Sequence, residues 1–167
     1  MKIYKIAEPE AYHGSETEIV AFDIGFSGNG IDKEGPGIYF TSSKQDALHY
    51  GNKIHNVILD LKKTVSTKGR PNVSNIKKLI LWACNLQNEN ELQGIDEERY
   101  WEMALSNYGE NPCQAFVEAV NSYSTYTQSS HEAFNTISND FYKNNPIDFI
   151  KNMVKLGYDG VIIPRVS

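Results

Sequence analysis

His13, Tyr39 and Tyr50 are the residues whose types and settings could do chemistry. His13 stands in Tyr12-His13-Gly14-Ser15, where a glycine lets a ligand or another chain come close to the backbone. A neutral imidazole there can donate to or accept from a sugar hydroxyl. An isolated His-Gly is equally what an ordinary surface histidine looks like. Tyr39 on a strand and Tyr50 one short helix later would face each other across a slot fit for a flat heteroaromatic ring. A core stripe accounts for the same two residues. His49, His55 and His131 lack the spacing of metal ligands on one element, and no Cys/His/Asp cluster occurs, so no metal is expected. Gly28-Asn29-Gly30 and Gly35-Pro36-Gly37 do not have the spacing of a dinucleotide fingerprint, and no phosphate-loop lysine motif occurs. A Gly-x-Ser-x-Gly elbow is missing too.

These residues are positioned by the stretch 35–51, GPGIYFTSSKQDALHYG. Pro36 and Gly37 suit a turn, and Ile38-Tyr39-Phe40 favours a buried strand. Ser42 followed three residues later by Gln45 fits a capping box. In helical phase Ala47 and Tyr50 share a face, and Gly51 is a C-terminal stop. The same pattern also describes an ordinary strand-to-helix junction.

Around this unit, residues 2–6 alternate as a half-buried strand, and residues 11–15 read as a second short strand or strand end. Residues 19–24 are either extended or the start of a short helix. Residues 25–37, with five glycines and Pro36, form a mobile loop by composition. Residues 54–61, IHNVILDL, read as a buried strand, and 62–73 as a loop. From 74 to 157 the period is helical. Ser74 is expected to cap a helix through Ile76, Leu79, Ile80, Ala83 and Leu86, and residues 85–91 to form a turn. Asp96 caps a second helix bearing Tyr100, Trp101, Ala104 and Leu105. Pro112 opens a third with Ala115, Phe116, Ala119 and Val120 inward, and 121–130 is a polar link. A fourth spans about 130–143, and Pro146 opens a fifth that Gly157 closes. Val161-Ile162-Ile163 after the Asp159-Gly160 turn is a buried strand ended by Pro164, and it most simply returns to the first sheet. The fold class is α+β, with a helical insertion or layer at about 74–157 in one domain spanning 1–167.

With 167 residues, 40% of them hydrophobic, the chain can build a core. A formal net charge of −5 and no long Lys/Arg block disfavour a phosphate-tracking surface. Lys62, Lys63, Lys68 and Arg70 read as a solvated loop. Cys84 and Cys113 are far apart in sequence, the pattern of a reduced pair. Neither a signal peptide nor a membrane-length apolar run is found, so a cytoplasmic protein without membrane partners is expected.

Together, YHGS at 12–15, GPGIYFTSSKQDALHYG at 35–51 and LGYDGVII at 156–163 resemble the ADP-ribosyltransferase superfamily. The likeness is to its His-Tyr-Glu class, which includes the poly-ADP-ribose polymerases. Within that class the chain looks most like the small transferase domains in polyvalent proteins of bacteriophages and conjugative elements. Gly-Ile-Tyr-Phe with a second tyrosine thirteen residues after the glycine carries most of it. The motifs cover the first third and the last dozen residues, and 74–145 matches nothing nameable.

The resemblance implies a split β-sheet with NAD in a cleft. His13 would hydrogen-bond the ribose beside the nicotinamide, and Gly14 would meet the carboxamide through its backbone. Ser15, Phe40 and Ala47 would line the same pocket. Tyr39 would lie near the nicotinamide ribose, Tyr50 would stack on the ring, and 25–36 would form a lid. His13, Tyr39 and Tyr50 would be the catalytic set. A cationic ring gains from an electron-rich face, its buried amide needs partners, and cleft burial favours departure of nicotinamide. Two departures stand out. Many members carry a serine where this chain has Ala47, and the late-strand glutamate has no counterpart in Pro164-Arg165-Val166-Ser167. Asp159, Glu110 and Glu118 are the substitutes considered. The implied activity is mono-ADP-ribosyl transfer to a host protein in the host cytoplasm, with a nucleic-acid acceptor still open. The alternatives are an inactive NAD-, ADP-ribose- or host-protein-binding module and an NAD glycohydrolase.

Overall fold

The computed structural model describes residues 10–23, 25, 35–95, 111–127 and 129–163. The expected strand at 2–6, the helix at 96–107, most of the 25–36 lid, Glu110 and residues 164–167 lie outside them. Within them the fold is α+β.

Strand β1, Glu10–Ser15, pairs antiparallel with β2, Lys53–Ile58, in a register that sets His13 opposite His55 and Gly14 opposite Ile54. Between them lies α1, Lys44–Ala47. Ser43, not Ser42, caps it, accepting from the Asp46 backbone N–H at 3.2 Å. The helix is a single turn that ends before Gly51, and a Tyr50 N–H to Ala47 O bond of 3.0 Å extends it as a tight turn. Ile38-Tyr39-Phe40 is not a strand. It runs beside β1 without ladder pairing until Thr41, which exchanges backbone bonds with Tyr12 at 2.8 and 2.9 Å. Residues 19–23 have no regular structure. β2 is shorter and less buried than its apolar run suggests, with Ile58 61% exposed, because a two-stranded ribbon covers few of its own side chains.

The final strand does not join this ribbon. β3, Thr64–Val65, forms inside the expected loop and pairs in parallel with β4, Gly160–Val161. The Asp159 carboxylate fastens the junction by accepting the backbone N–H groups of Lys62 at 2.6 Å and Lys63 at 3.0 Å. Those bonds, the Lys62 one foremost, hold its carboxyl below the ordinary value of 3.8. Asp159 is thus a structural clamp.

The helical layer centres on α2, Val73–Ala83, capped by Asn72 rather than Ser74. Against it lie α3, Pro112–Thr125, α4, Ser130–Phe141, and α5, Pro146–Lys155. A 3-10 helix, Glu89–Gly94, with an Asn88–Glu91 capping box, replaces the expected turn. α3 runs on through the first half of the expected link, to Thr125. Ile76, Leu79, Ile80, Ala115, Phe116, Ala119 and Ile137 are sealed from solvent in one core, where each large side chain stabilises the fold by roughly 1.5–3 kcal/mol. Tyr142 ties three helices: its hydroxyl donates to Leu79 O at 2.5 Å and accepts from Asn152 at 3.0 Å. Burial raises the pKa of this phenol. Val65, Val161 and Tyr158 join the core, so β3 and β4 dock on the helices. Cys84 and Cys113 are free thiols. Among the described residues no helix is long and apolar enough to cross a membrane.

Candidate functional site

A side chain at residue 14 would be impossible here. A Cβ on Gly14 would stand 1.8 Å from Ala47 O and 2.7 Å from Ala47 C, so α1 lies directly on the backbone of β1. The chain that makes the close approach is the protein's own. Gly51 repeats the arrangement, since its Cβ would stand 2.1 Å from the Ser15 carbonyl carbon. Two glycines therefore press the α1 turn, from Ala47 to Gly51, onto the end of β1.

Beside this contact opens a cleft of about 150 Å³. His13, Gly14, Tyr39, Phe40, Ala47 and Tyr50 line it, together with Tyr12 and Thr41. Residues far apart in sequence meet there because the Tyr12–Thr41 bridge lays the 38–41 segment along β1 and the two glycines seat α1 beside it. Tyr39 is 42% and Tyr50 75% exposed, whereas Ala47 is 1% exposed. The tyrosines are therefore open to solvent, which a core stripe would not be. Ser15 is not among the lining residues: its hydroxyl donates to Thr17 O at 2.7 Å and accepts from Thr17 N at 3.1 Å.

His13 Nδ1 lies 2.7 Å from Tyr39 O. A carbonyl only accepts, so Nδ1 carries the proton, and Nε2 of the neutral ring is left as an acceptor. The Tyr39 hydroxyl donates to Gly35 O, anchoring the 35–40 segment at both ends of that tyrosine. On the His13 face of the ribbon a cluster of rings forms. Phe22 meets His13 edge-on at 5.2 Å and Phe40 at 5.2 Å. His55 lies 6.4 Å from His13 and 6.1 Å from Phe22.

Among the described residues the cleft lining holds no carboxylate. Asp159 is committed to the Lys62–Lys63 backbone, and Glu118 sits exposed on α3, accepting from Gln114 at 3.0 Å. No group of three or more His, Cys, Asp or Glu that could hold a metal occurs among the described residues. Sequence reasoning missed Tyr12, Thr41 and Phe22. The first two were legible only as neighbours of chosen residues, and Phe22 had no signal beyond its apolar run.

The family model described as ADP-ribosyltransferase in polyvalent proteins matches residues 9–167. No curated protein and no solved structure matches the chain.

Proposed function

Because the chain belongs to the ADP-ribosyltransferases found in polyvalent proteins, we propose that it is an NAD-dependent mono-ADP-ribosyltransferase. It would transfer ADP-ribose to a host protein in the host cytoplasm and release nicotinamide. The observation that carries this reading is the convergence of His13, Gly14, Tyr39, Phe40, Ala47 and Tyr50 on one cleft. NAD supplies a sugar–nicotinamide bond whose departing ring becomes neutral.

The chain's own groups suit that task. His13, with its proton held on Nδ1 by Tyr39 O, offers Nε2 to a ribose hydroxyl. The exposed Tyr50 ring offers an electron-rich face to a cationic ring. The Gly14 backbone lines the cleft, and in this reading it meets the carboxamide. Ala47 supplies no hydroxyl there, so that amide depends on backbone partners. Ser15 acts by shaping the turn to Thr17 and is not a direct contact in this reading.

A second reading has its own support. The lack of a carboxylate among the described lining residues favours a module that binds NAD, ADP-ribose or a host protein without turnover. One experiment separates the readings: labelled NAD is incubated with the protein and a host lysate, alongside His13→Ala and Tyr50→Ala variants. Label on a protein, lost in both variants, supports the transferase. NAD loss without labelling makes the chain a glycohydrolase, and saturable binding without either makes it the module. No binding at all refutes both.

A further inference from the structure

We propose that Phe22 is a positioning residue: its ring edge, acting with the Tyr39 carbonyl, holds the His13 imidazole in one orientation and one tautomer. This rests on the reading of His13 as the ribose-contacting group of the cleft.

A histidine χ2 torsion has a broad, roughly two-fold profile, so one hydrogen bond does not by itself fix the ring. A half-turn about that bond would carry Nδ1 away from Tyr39 O. His13 and His55 are direct cross-strand partners and so share a face of the ribbon. On that face Phe22 meets His13 at 85° and His55 at 82°, while leaning on Phe40 at 68°. It touches both imidazoles and Phe40, yet it does not itself line the cleft. Within its segment Val20 is 99% exposed, whereas Phe22, at 37%, keeps one side of its ring against the cluster. Phe22 is thus the residue of that segment whose ring meets His13, Phe40 and His55.

His55 gives the restraint a purpose. Its Nε2 is buried and has no hydrogen-bond partner among the described residues. A loosened His13 ring could turn toward it and form an imidazole pair, abandoning Tyr39 O. With Phe22 against both rings, that pairing is blocked.

The test uses the full chain and two readouts. Nitrogen-15 NMR of the imidazoles, with His13→Ala to assign the signals, reports the tautomer without any need for activity. NAD consumption reports kcat and KM. Phe22→Leu keeps apolar bulk and removes the ring edge, and thermal melting checks that it is folded. Phe22→Tyr restores the ring. In wild type His13 should show one neutral tautomer, protonated at Nδ1. Phe22→Leu should show a mixture, with kcat lower on the order of five- to tenfold, the size of one edge-to-face contact, and KM for NAD changed less than about twofold. Phe22→Tyr should recover both. A folded Phe22→Leu with the wild-type tautomer overturns the proposal, as does a Phe22→Tyr as impaired as Phe22→Leu. If the tautomer follows residue 22 but wild type neither binds nor consumes NAD, the positioning stands and the NAD reading fails.

Discussion

Gly14→Ala is the sharpest perturbation of this site. The added Cβ would stand 1.8 Å from Ala47 O. The obstacle is a backbone carbonyl, so no rotamer change relieves it. Restoring a non-bonded separation would require α1 to retreat from β1 by over about 1 Å. Overpacking of that kind costs about 1–3 kcal/mol. For a chain of this size each kcal/mol lowers Tm by about 2–4 °C. Tyr50 hangs on the same turn through its N–H to Ala47 O bond of 3.0 Å, so the retreat also moves the most exposed wall of the cleft. Gly37→Ala is the control from the same part of the chain, because nothing lies within 4 Å of its Cβ position. Circular dichroism melts and calorimetric NAD titrations of both variants form the assay. Gly14→Ala should melt several degrees lower and bind NAD weakly, with Gly37→Ala close to wild type. A Gly14→Ala protein that melts and binds as wild type does would mean that α1 is not seated on β1 as described.

Three further outcomes are expected. Ser43→Ala should lower stability by about 0.5–2 kcal/mol through loss of the α1 cap while Ser42→Ala changes little, as compared by urea denaturation. Ala47→Ser should tighten NAD binding by about two- to tenfold if its hydroxyl reaches the carboxamide, and an unchanged or weaker Kd would place the carboxamide elsewhere. Asp159 has a folded pKa lowered by the Lys62 and Lys63 N–H bonds, so its contribution is complete above the unfolded value near 3.8 and fades as pH falls through the folded value. Asp159→Asn should therefore reduce Tm at neutral pH and converge with wild type in strong acid, as a pH series of melts would reveal.

The helices were largely legible from sequence, because proline at the starts of α3 and α5 and the apolar period of α2 and α3 are local signals. Caps were legible only to within one or two positions: Ser42 and Ser43 are chemically alike, as are Asn72 and Ser74 in that role, and tertiary seating chooses between them. His13, Tyr39 and Tyr50 stand out by residue type and setting and the other cleft residues only by family likeness, and their convergence depends on glycine contacts that no spacing rule contains. Strand pairing was the least legible. Ile38-Tyr39-Phe40 has strand composition but no ladder partner beyond Thr41. Val161-Ile162-Ile163 looks like a returning sheet strand, yet its partner is Thr64–Val65, inside a stretch too polar to suggest one. Pairing is a property of two segments, and a propensity describes only one of them.

The Asp159 clamp has a topological consequence. Lys62 and Lys63 leave for the helices at the same spot to which Asp159 returns, held there by hydrogen bonds of 2.6 and 3.0 Å. The described residues between are tied off at this stem, and they meet the front segment again where a Cβ on Gly35 would stand 3.1 Å from Asn135 Oδ1 of α4. A different bundle grafted on that stem would have to offer Gly35, whose carbonyl anchors Tyr39, a surface like that of α4 for the spacing across the cleft to stay as it is.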